Sequence, residues 1–346
     1  MVGLPPPPAP SSLVAPERVQ EVAVAVILRS DGRFLLGRRP AGKVYAGYWE
    51  FPGGKVEPGE SAVEALQREL HEELELTLER AYPWITRTFV YPHATVRLRF
   101  FRVVGWHGAL QDHEHEALTW QQPGAPVVEP MLPANGPVLK SLELPDEYAI
   151  TFAEGLDTGP FLARLAVALE RGVRLIQLRE KSMAPEQLRA FGREVLARAR
   201  EVGAKVLVNG DAATAEAMGA DGVHLSAAAL MALPRRPAVA WCGASCHNEA
   251  ELARAAELGV DFVVLGPVLP TLSHPGVPPL GWRRFADLVR DYPLPVFALG
   301  GMRRSHLETA WQHGAHGIAC MRAAWASPDD FTRASLRRQG TERPAF

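Results

Sequence analysis

The chain has 346 residues, 47% of them hydrophobic, which suits two ordinary domain cores rather than one. A formal net charge of −2 supplies no overall basic field, so direct nucleic-acid binding is not expected. No window approaches about eighteen apolar residues and no charged start leads into an apolar run, so neither a membrane span nor secretion is expected.

Cytoplasmic residence is the expectation. Cys242, Cys246 and Cys320 have neither a disulfide framework nor zinc spacing and read as packing residues of a reduced compartment. Residues 1–18 are rich in Pro, Ala and Ser and read as a disordered or polyproline tail. From Glu21 the chain reads as strand, VAVAVILR, followed by an Asp31-Gly32 turn and FLLGRR. Asp-Gly between apolar runs predicts a hairpin. Pro40 to Gly47 is a glycine-containing loop, and WEFPGG leads out of it.

The stretch from Gly53 to Leu76, GGKVEPGESAVEALQRELHEELEL, reads as a loop feeding a helix over about Ser61 to Leu74. Ser61 is a plausible N-cap, with Glu64 three residues on to close a capping box. Val63, Leu66, Leu70 and Leu74 form the apolar stripe. Glu69, Glu72 and Glu73 fall at i, i+3 and i+4, so three carboxylates share a face and repel one another unless a cation sits among them. Hard oxygen ligands of this kind suit Mg²⁺ or Mn²⁺. Glu73 lies against the edge of the apolar stripe, where a carboxylate is partly desolvated and a cation would compensate. The plain alternative is a solvated acidic helix with an Arg68–Glu72 pair, which leaves the FPGG loop without a purpose.

Tyr82 to Val90 and Ala94 to Gly105 read as two further strands, the second alternating in polarity. The acidic loop QDHEHEA, a short strand LTW and a short amphipathic helix from Asn135 to Leu142 follow. The composition breaks near Leu144-Pro145. Beyond it, YAITF, RLIQL, KVLVN, GVHL, AWCGAS, FVVLGP, PVFALG and HGIAC each precede a helix-like segment or loop. Eight such βα repeats predict a small (β/α)8 TIM barrel. The expected fold class is α/β: a tail at 1–18, an α/β/α sandwich with a mixed sheet at 19–145 and a barrel at 146–346.

The spacing of Gly54, Glu60, Arg68-Glu69 and Glu72-Glu73 resembles the Nudix box, and the resemblance covers roughly residues 20–145. One position departs: Glu75 stands where the family has a Gly that helps end the helix. The resemblance implies hydrolysis of a nucleoside diphosphate linked to another group. Water attack on a polyanionic pyrophosphate needs charge neutralisation and an activated water. Divalent ions are implied on Glu69, Glu72, Glu73 and the Gly53 carbonyl, with Glu60 as an accessory ligand and Arg68 orienting a carboxylate as a bidentate fork. A further carboxylate outside the box is implied as base or ligand. Glu114 and Glu116 both qualify, Glu114 being slightly favoured. His113 and His115 beside them read either as solvated loop residues or as transition-metal ligands.

LLGRRP, WEFPGGKVEPGE and LPANGPVLKSL further resemble the MutT-type 8-oxo-dGTP diphosphatases. That likeness implies that Asn135 reads the oxidised purine edge, that Arg39 contacts it and that Phe51 belongs to the substrate site. An Asn amide has the donor and acceptor a base edge requires. A plain N-cap for Asn135 and a surface charge for Arg39 are the alternatives. An aromatic stacker is expected among Phe89, Tyr91 and Trp49. The implied reaction turns 8-oxo-dGTP and water into 8-oxo-dGMP and pyrophosphate with Mg²⁺, a nucleotide-pool sanitisation that avoids mutation.

The second half resembles the thiamine phosphate synthase and TenI family over about residues 147–335. QLREK, Val208-Asn209, GADGVHL, GASCH, GPVLPTLSHPG and ALGGM carry the likeness. It implies pyrimidine-pyrophosphate contacts from Gln177, Arg179 and Lys181, and thiazole-phosphate contacts from Thr271, Ser273, Gly300 and Gly301. Asn209 joins this phosphate-binding set. Basic residues and Gly-rich turns at the strand ends suit phosphate.

Several positions depart. The synthases carry an acidic Mg²⁺ ligand after the Asn, where Gly210 stands with Asp211 next to it. They carry a second after the VHL strand, where Ser226 to Ala229 stand. The Lys of the phosphate loop is His274, and the His of TenI tautomerases is Pro267. A barrel without full synthase activity is therefore expected, binding a thiamine-related phosphate. The fusion also suggests a second substrate class for the Nudix half, thiamine pyrophosphate or pyrimidine-precursor pyrophosphates. A third reading makes the barrel a ligand sensor for the Nudix site.

Overall fold

The computed structural model describes residues 19–125, 128–271, 276 and 278–326, so the Pro-rich tail lies outside the described residues. The chain divides into two compact units, the body of one being Met1–Lys140 and that of the other Ser141–Arg290 with Leu294–Phe346.

The first unit contains β1 (Gln20–Ile27), β2 (Phe34–Arg38), β3 (Trp49–Glu50), β4 (Gly53–Lys55), α1 (Ala62–Leu74), β5 (Thr77–Tyr91), β6 (Ala94–His107) and β7 (Ala117–Gln121). A 3-10 turn at Pro133–Asn135 then opens α2 (Gly136–Leu142). Two sheets form, in the orders β4-β1-β6-β5 and β3-β2-β7. The first is mixed, since β1 runs parallel to β6 and antiparallel to β4.

The expected β1–β2 hairpin does not form a ladder. The Asp31-Gly32 turn is present, with Gly32 at φ 82° and Asp31 Oδ1 accepting the Arg33 N–H at 3.1 Å. Pairing stops at a single Leu28–Phe34 bridge. Both edges of β1 are taken by β4 and β6, so β2 leaves for the other sheet with β3 and β7 as partners.

Helix α1 carries the capping box: Ser61 Oγ accepts the Glu64 N–H at 3.3 Å and Glu64 Oε2 accepts the Ser61 N–H at 2.7 Å. The expected stripe is corrected at one position, because Val63 is 49% exposed while Ala65 is fully buried. Leu66, Leu70 and Leu74 pack with Ala65 against Ala23, Ala25, Ile27 and Val103. Each buried leucine contributes roughly 2 kcal/mol, which clamps the box helix to the central strand. Glu75 takes the left-handed conformation that Gly would adopt more freely, at φ 56°, and the chain exits with Leu76 N–H donating to Leu70 O at 3.1 Å. The substitution therefore leaves the helix exit in place.

The second unit is a closed barrel of eight parallel strands: β8 (Glu147–Ile150), β9 (Leu175–Leu178), β10 (Lys205–Asn209), β11 (Gly222–Leu225), β12 (Trp241–Cys246), β13 (Phe262–Leu265), β14 (Val296–Leu299) and β15 (Gly317–Cys320), with β15 closing on β8. Tyr148, Leu207, Phe262 and Phe297 fill its interior. Among the described residues no helix is long and apolar enough to cross a membrane.

Candidate functional sites

Packing of α1 on β1 and β4 brings the box residues to the Gly53-Gly54 loop. Glu73, 6% exposed, accepts the Gly53 N–H on Oε2 at 3.1 Å. Burial pushes its carboxyl up to about 8. The Gly53 bond opposes this, and the negative charges of Glu69, Glu114 and Glu50 reinforce it. Glu69 lies across Gly54, where a Cβ would occupy the space of its carboxylate. Gly53 sits at φ 137° against the Ala23 backbone and tolerates no side chain, whereas a Cβ at Gly54 would displace the Glu69 carboxylate.

Arg68 is the hub of the remaining acids. Its Nε meets Glu60 Oε1 at 3.0 Å and its Nη1 meets Glu69 Oε1 at 2.9 Å and Glu72 Oε2 at 3.3 Å. Its Nη2 also donates to Glu60 Oε2 at 3.1 Å and to the Lys55 carbonyl at 3.0 Å. The Arg68 hydrogen bond is the main reason the Glu60 carboxyl is held below its ordinary range. The three helix carboxylates do not converge as the spacing suggests. Glu72 is 54% exposed and leans on Arg68, whereas Glu73 points inward. Among the described residues no three acidic, His or Cys side chains stand at metal-ligand spacing. The donor chemistry nevertheless fits a hard divalent cation: a desolvated carboxylate burdened by like charges, Glu69 beside it and the Gly53 backbone at hand.

The acidic loop is fastened to both neighbours. The N–H groups of Gln111 and His113 donate to Leu74 O and Glu73 O, each at 3.1 Å, and that of Glu116 donates to Arg38 O at 2.9 Å. The His115 side chain, 3% exposed, lies on Gly37, a position that admits no Cβ. His113 turns away to Glu75 at 2.8 Å, so the two histidines do not form a ligand pair. Glu114 and Glu116 separate. Glu114 raises Glu73 electrostatically and pairs with Lys43 at 2.6 Å, while Glu116 pairs with Arg38 at 3.6 Å.

A second cluster adjoins the box. Arg39 Nη1 meets the two Glu50 oxygens at 2.7 and 2.5 Å, and the side chain is 21% exposed, more enclosed than a plain surface charge. Burial raises the Glu50 carboxyl even so. Asn135 is 4% exposed and is not an N-cap; its Nδ2 lies 3.8 Å from Met131 Sδ. Its turn is tied to β3 through Leu132 N–H to Trp49 O at 3.0 Å. Tyr91 hydrogen-bonds the Ala134 backbone and feels the charges of Glu50 and Arg39. Around Tyr91 stand Phe89 at 4.6 Å, Tyr45 at 5.5 Å and His93 at 5.6 Å, centroid to centroid. Phe51, expected at the substrate, is 3% exposed and packs on Phe34 and Phe100. Sequence reasoning missed Gly37, Lys43, Tyr45 and Glu50. Tyr45 carried a faint sign in its Gly-flanked aromatic loop, but its left-handed backbone, φ 60°, had none.

In the barrel, a cavity of about 1170 Å³ opens at the C-terminal strand ends. Gln177, Arg179, Lys181, Asn209, Thr271, Gly300 and Gly301 all line it, whereas Ser273 and His274 lie outside the described residues. Beneath it runs a buried polar chain: Tyr148 Oη lies 3.2 Å from His224 Nδ1, and His224 Nε2 lies 2.9 Å from Ser245 Oγ. Burial, with help from Arg179, lowers His224 to about 3, so the imidazole is neutral. A smaller cavity of about 410 Å³ beside Asp221 and Trp241 lies at the opposite strand ends.

An open-ended eight-stranded barrel with a cationic mouth and a box helix beside a two-glycine loop are the features that family comparison can decide. The NUDIX domain family matches residues 18–142, and the family described as thiamine monophosphate synthase matches residues 147–324. The chain belongs to both families.

Its Nudix domain is 42% identical over 118 residues to the CTP pyrophosphohydrolase of Escherichia coli, spanning 34% of this chain and 87% of that protein. Its synthase-family barrel is 34% identical over 190 residues to the thiamine-phosphate synthase of Thiobacillus denitrificans, spanning 53% of this chain and 88% of that one. A solved thiamine phosphate pyrophosphorylase from Pyrococcus furiosus aligns at 26% identity over 56% of this chain and 94% of its own, with a TM-score of 0.45. The Nudix relationship supports pyrophosphohydrolase activity in the first domain.

Proposed function

We propose that the Nudix domain hydrolyses an oxidised purine nucleoside triphosphate, turning 8-oxo-dGTP and water into 8-oxo-dGMP and pyrophosphate. The observation that carries this reading is the buried Asn135, whose turn is fastened to Tyr91 and β3 beside the Arg39–Glu50 pair. A buried amide with only a weak sulfur contact has a donor and an acceptor left to read a base edge. Phe89, Tyr91 and Tyr45 supply the aromatic wall a purine needs.

Glu69, Glu73, the Gly53 carbonyl and, after leaving Arg68, Glu72 would hold Mg²⁺ or Mn²⁺. Bound there, such ions neutralise the pyrophosphate and lower the pKa of the attacking water. Arg68 keeps Glu69 and Glu60 in place through charge-assisted bonds. Glu114 is positioned by its fastened loop to take the water's proton once Lys43 turns towards phosphate. The Arg39 guanidinium is held to the base side by Glu50.

A second reading, a pyrimidine nucleoside triphosphate, is favoured by the 42% identity to a CTP pyrophosphohydrolase. Thiamine pyrophosphate or a pyrimidine-precursor pyrophosphate is the reading the fused barrel favours. The barrel itself is read as a binder without full synthase activity. A panel of 8-oxo-dGTP, dGTP, CTP and thiamine pyrophosphate with Mg²⁺ separates the Nudix readings by kcat/KM. Turnover of 8-oxo-dGTP no better than dGTP overturns the first.

A further inference from the structure

The synthase family implies a Mg²⁺ ion held by acidic side chains at the barrel mouth, and the residues present do not fit one. Among the described residues no Asp or Glu lines the cavity. Residues 272–277, only partly described, contain none in their sequence. The carboxylates next to the lining are committed elsewhere. Asp211 caps the helix Ala212–Met218, accepting the Thr214 N–H at 2.8 Å. Glu180, 7% exposed, accepts the N–H groups of Ala153 at 2.9 Å and Glu154 at 3.2 Å. Glu251 accepts the His247 N–H at 2.7 Å and faces its ring at 2.9 Å.

The positive groups, by contrast, are available. Arg179, Lys181 and Arg303 line the cavity, and among the described residues their side chains form no ion pair. Gly300 and Gly301 stand beside them at φ 102° and 66°, packed so closely on Pro267 and Leu269 that a Cβ would collide. Successive glycines in such conformations turn backbone N–H groups into an anion-holding concavity. Unpaired cations around a space without carboxylates attract an anion, whereas a divalent cation would find repulsion and no hard anionic ligand.

We propose that the barrel cavity is a metal-independent binding site for a phosphorylated small molecule. Its phosphate oxygens are taken directly by Arg179, Lys181, Arg303 and the Gly300-Gly301 backbone, without a bridging cation. A volume of about 1170 Å³ is far larger than a phosphate, so the ligand carries an organic part. That part lies over the neutral Tyr148–His224–Ser245 chain and is therefore polar but uncharged. The inference rests on reading the barrel as a binder. Pyrophosphate departure lacks the electrophilic aid of a metal there, so the cavity holds its ligand rather than transferring it.

The test uses the full chain with inorganic phosphate as probe, followed by ³¹P NMR line broadening in EDTA and again with Mg²⁺. Broadening in EDTA, changed less than about twofold by Mg²⁺ and reduced about tenfold in the exposed-residue variant Lys181→Met/Arg303→Met, is the expected result. The variant also controls for phosphate held in the Nudix domain, since only broadening that it removes belongs to the barrel. The inference is overturned if the variant removes no broadening in EDTA, or if the broadening it removes appears only with Mg²⁺. Formation of thiamine phosphate from thiazole phosphate and pyrimidine pyrophosphate with Mg²⁺ would overturn the binder reading separately, whatever the EDTA result.

Discussion

Glu73→Gln should stabilise the metal-free Nudix domain while abolishing hydrolysis. Glu73 is 6% exposed, and its carboxyl is raised from 4.5 to about 8 by burial and like charges. The folded state therefore holds a proton that the unfolded chain releases at lower pH. The contribution of Glu73 to stability is greatest below pH 4.5, falls as pH rises, and levels off near pH 8. At pH 7 the loss spans 2.5 pH units above the unfolded value of 4.5, at about 1.4 kcal/mol each, or roughly 3 kcal/mol. Glutamine keeps the shape and can still accept the Gly53 N–H, while its amide donates to the surrounding carboxylates. In EDTA at pH 7, amides of α1 should exchange on the order of a hundredfold more slowly in the variant than in wild type, measured by hydrogen–deuterium exchange of peptides covering that helix. At pH 5.5 the gap should shrink to roughly 1 kcal/mol. Adding Mg²⁺ should slow exchange in wild type only. A gap independent of pH, or a wild type better protected than the variant at pH 7 in EDTA, refutes the reasoning.

Gly54→Ala places a Cβ in the space of the Glu69 carboxylate, so the apparent Mg²⁺ affinity in a hydrolysis titration should fall at least about tenfold with little change in urea midpoint. Asn135→Leu removes the base-edge partner, and the kcat/KM preference for 8-oxo-dGTP over dGTP should drop by roughly a hundredfold, because an unpaired polar edge is strongly disfavoured in an apolar pocket. Tyr45→Phe should keep KM within about twofold while Tyr45→Ala raises it several-fold, a contrast that separates ring stacking from the hydroxyl. His224 is held neutral to about pH 3 against an ordinary value of 6.5. Barrel stability should therefore be intact above pH 6.5 and decline as pH falls, by roughly 3 kcal/mol at pH 4.5. The urea midpoint of the barrel transition should show this slope in wild type and lose most of it in His224→Asn.

Much of this protein is legible in its residue order, because the causes are local. The Ser61–Glu64 capping box, the i, i+3, i+4 carboxylates and the leucine stripe of α1 follow from helical periodicity alone. The eight short apolar runs become the barrel strands because each is flanked by turn residues and too short for a buried helix. Periodicity could not say that Val63 would be exposed and Ala65 buried, since neighbouring wheel positions differ only in what the sheet presents. Nor could the Asp31-Gly32 turn reveal that β4 and β6 would occupy both edges of β1.

The site depends still more on tertiary structure. The helical wheel set Glu73 against the apolar stripe and Glu72 within reach of Arg68, but only the fold brings the Gly53 N–H to Glu73. Only the fold separates Glu114 from Glu116, by fastening their loop to α1 and β2, and places Tyr45 beside Tyr91 across 46 positions of chain. Sequence alone showed that acids were missing from the barrel mouth; the structure showed that Asp211, Glu180 and Glu251 were already committed to backbone N–H groups. Residue order thus determined which chemistry was available. Packing decided which groups face one another, because burial and charge act through distances that the chain order does not contain.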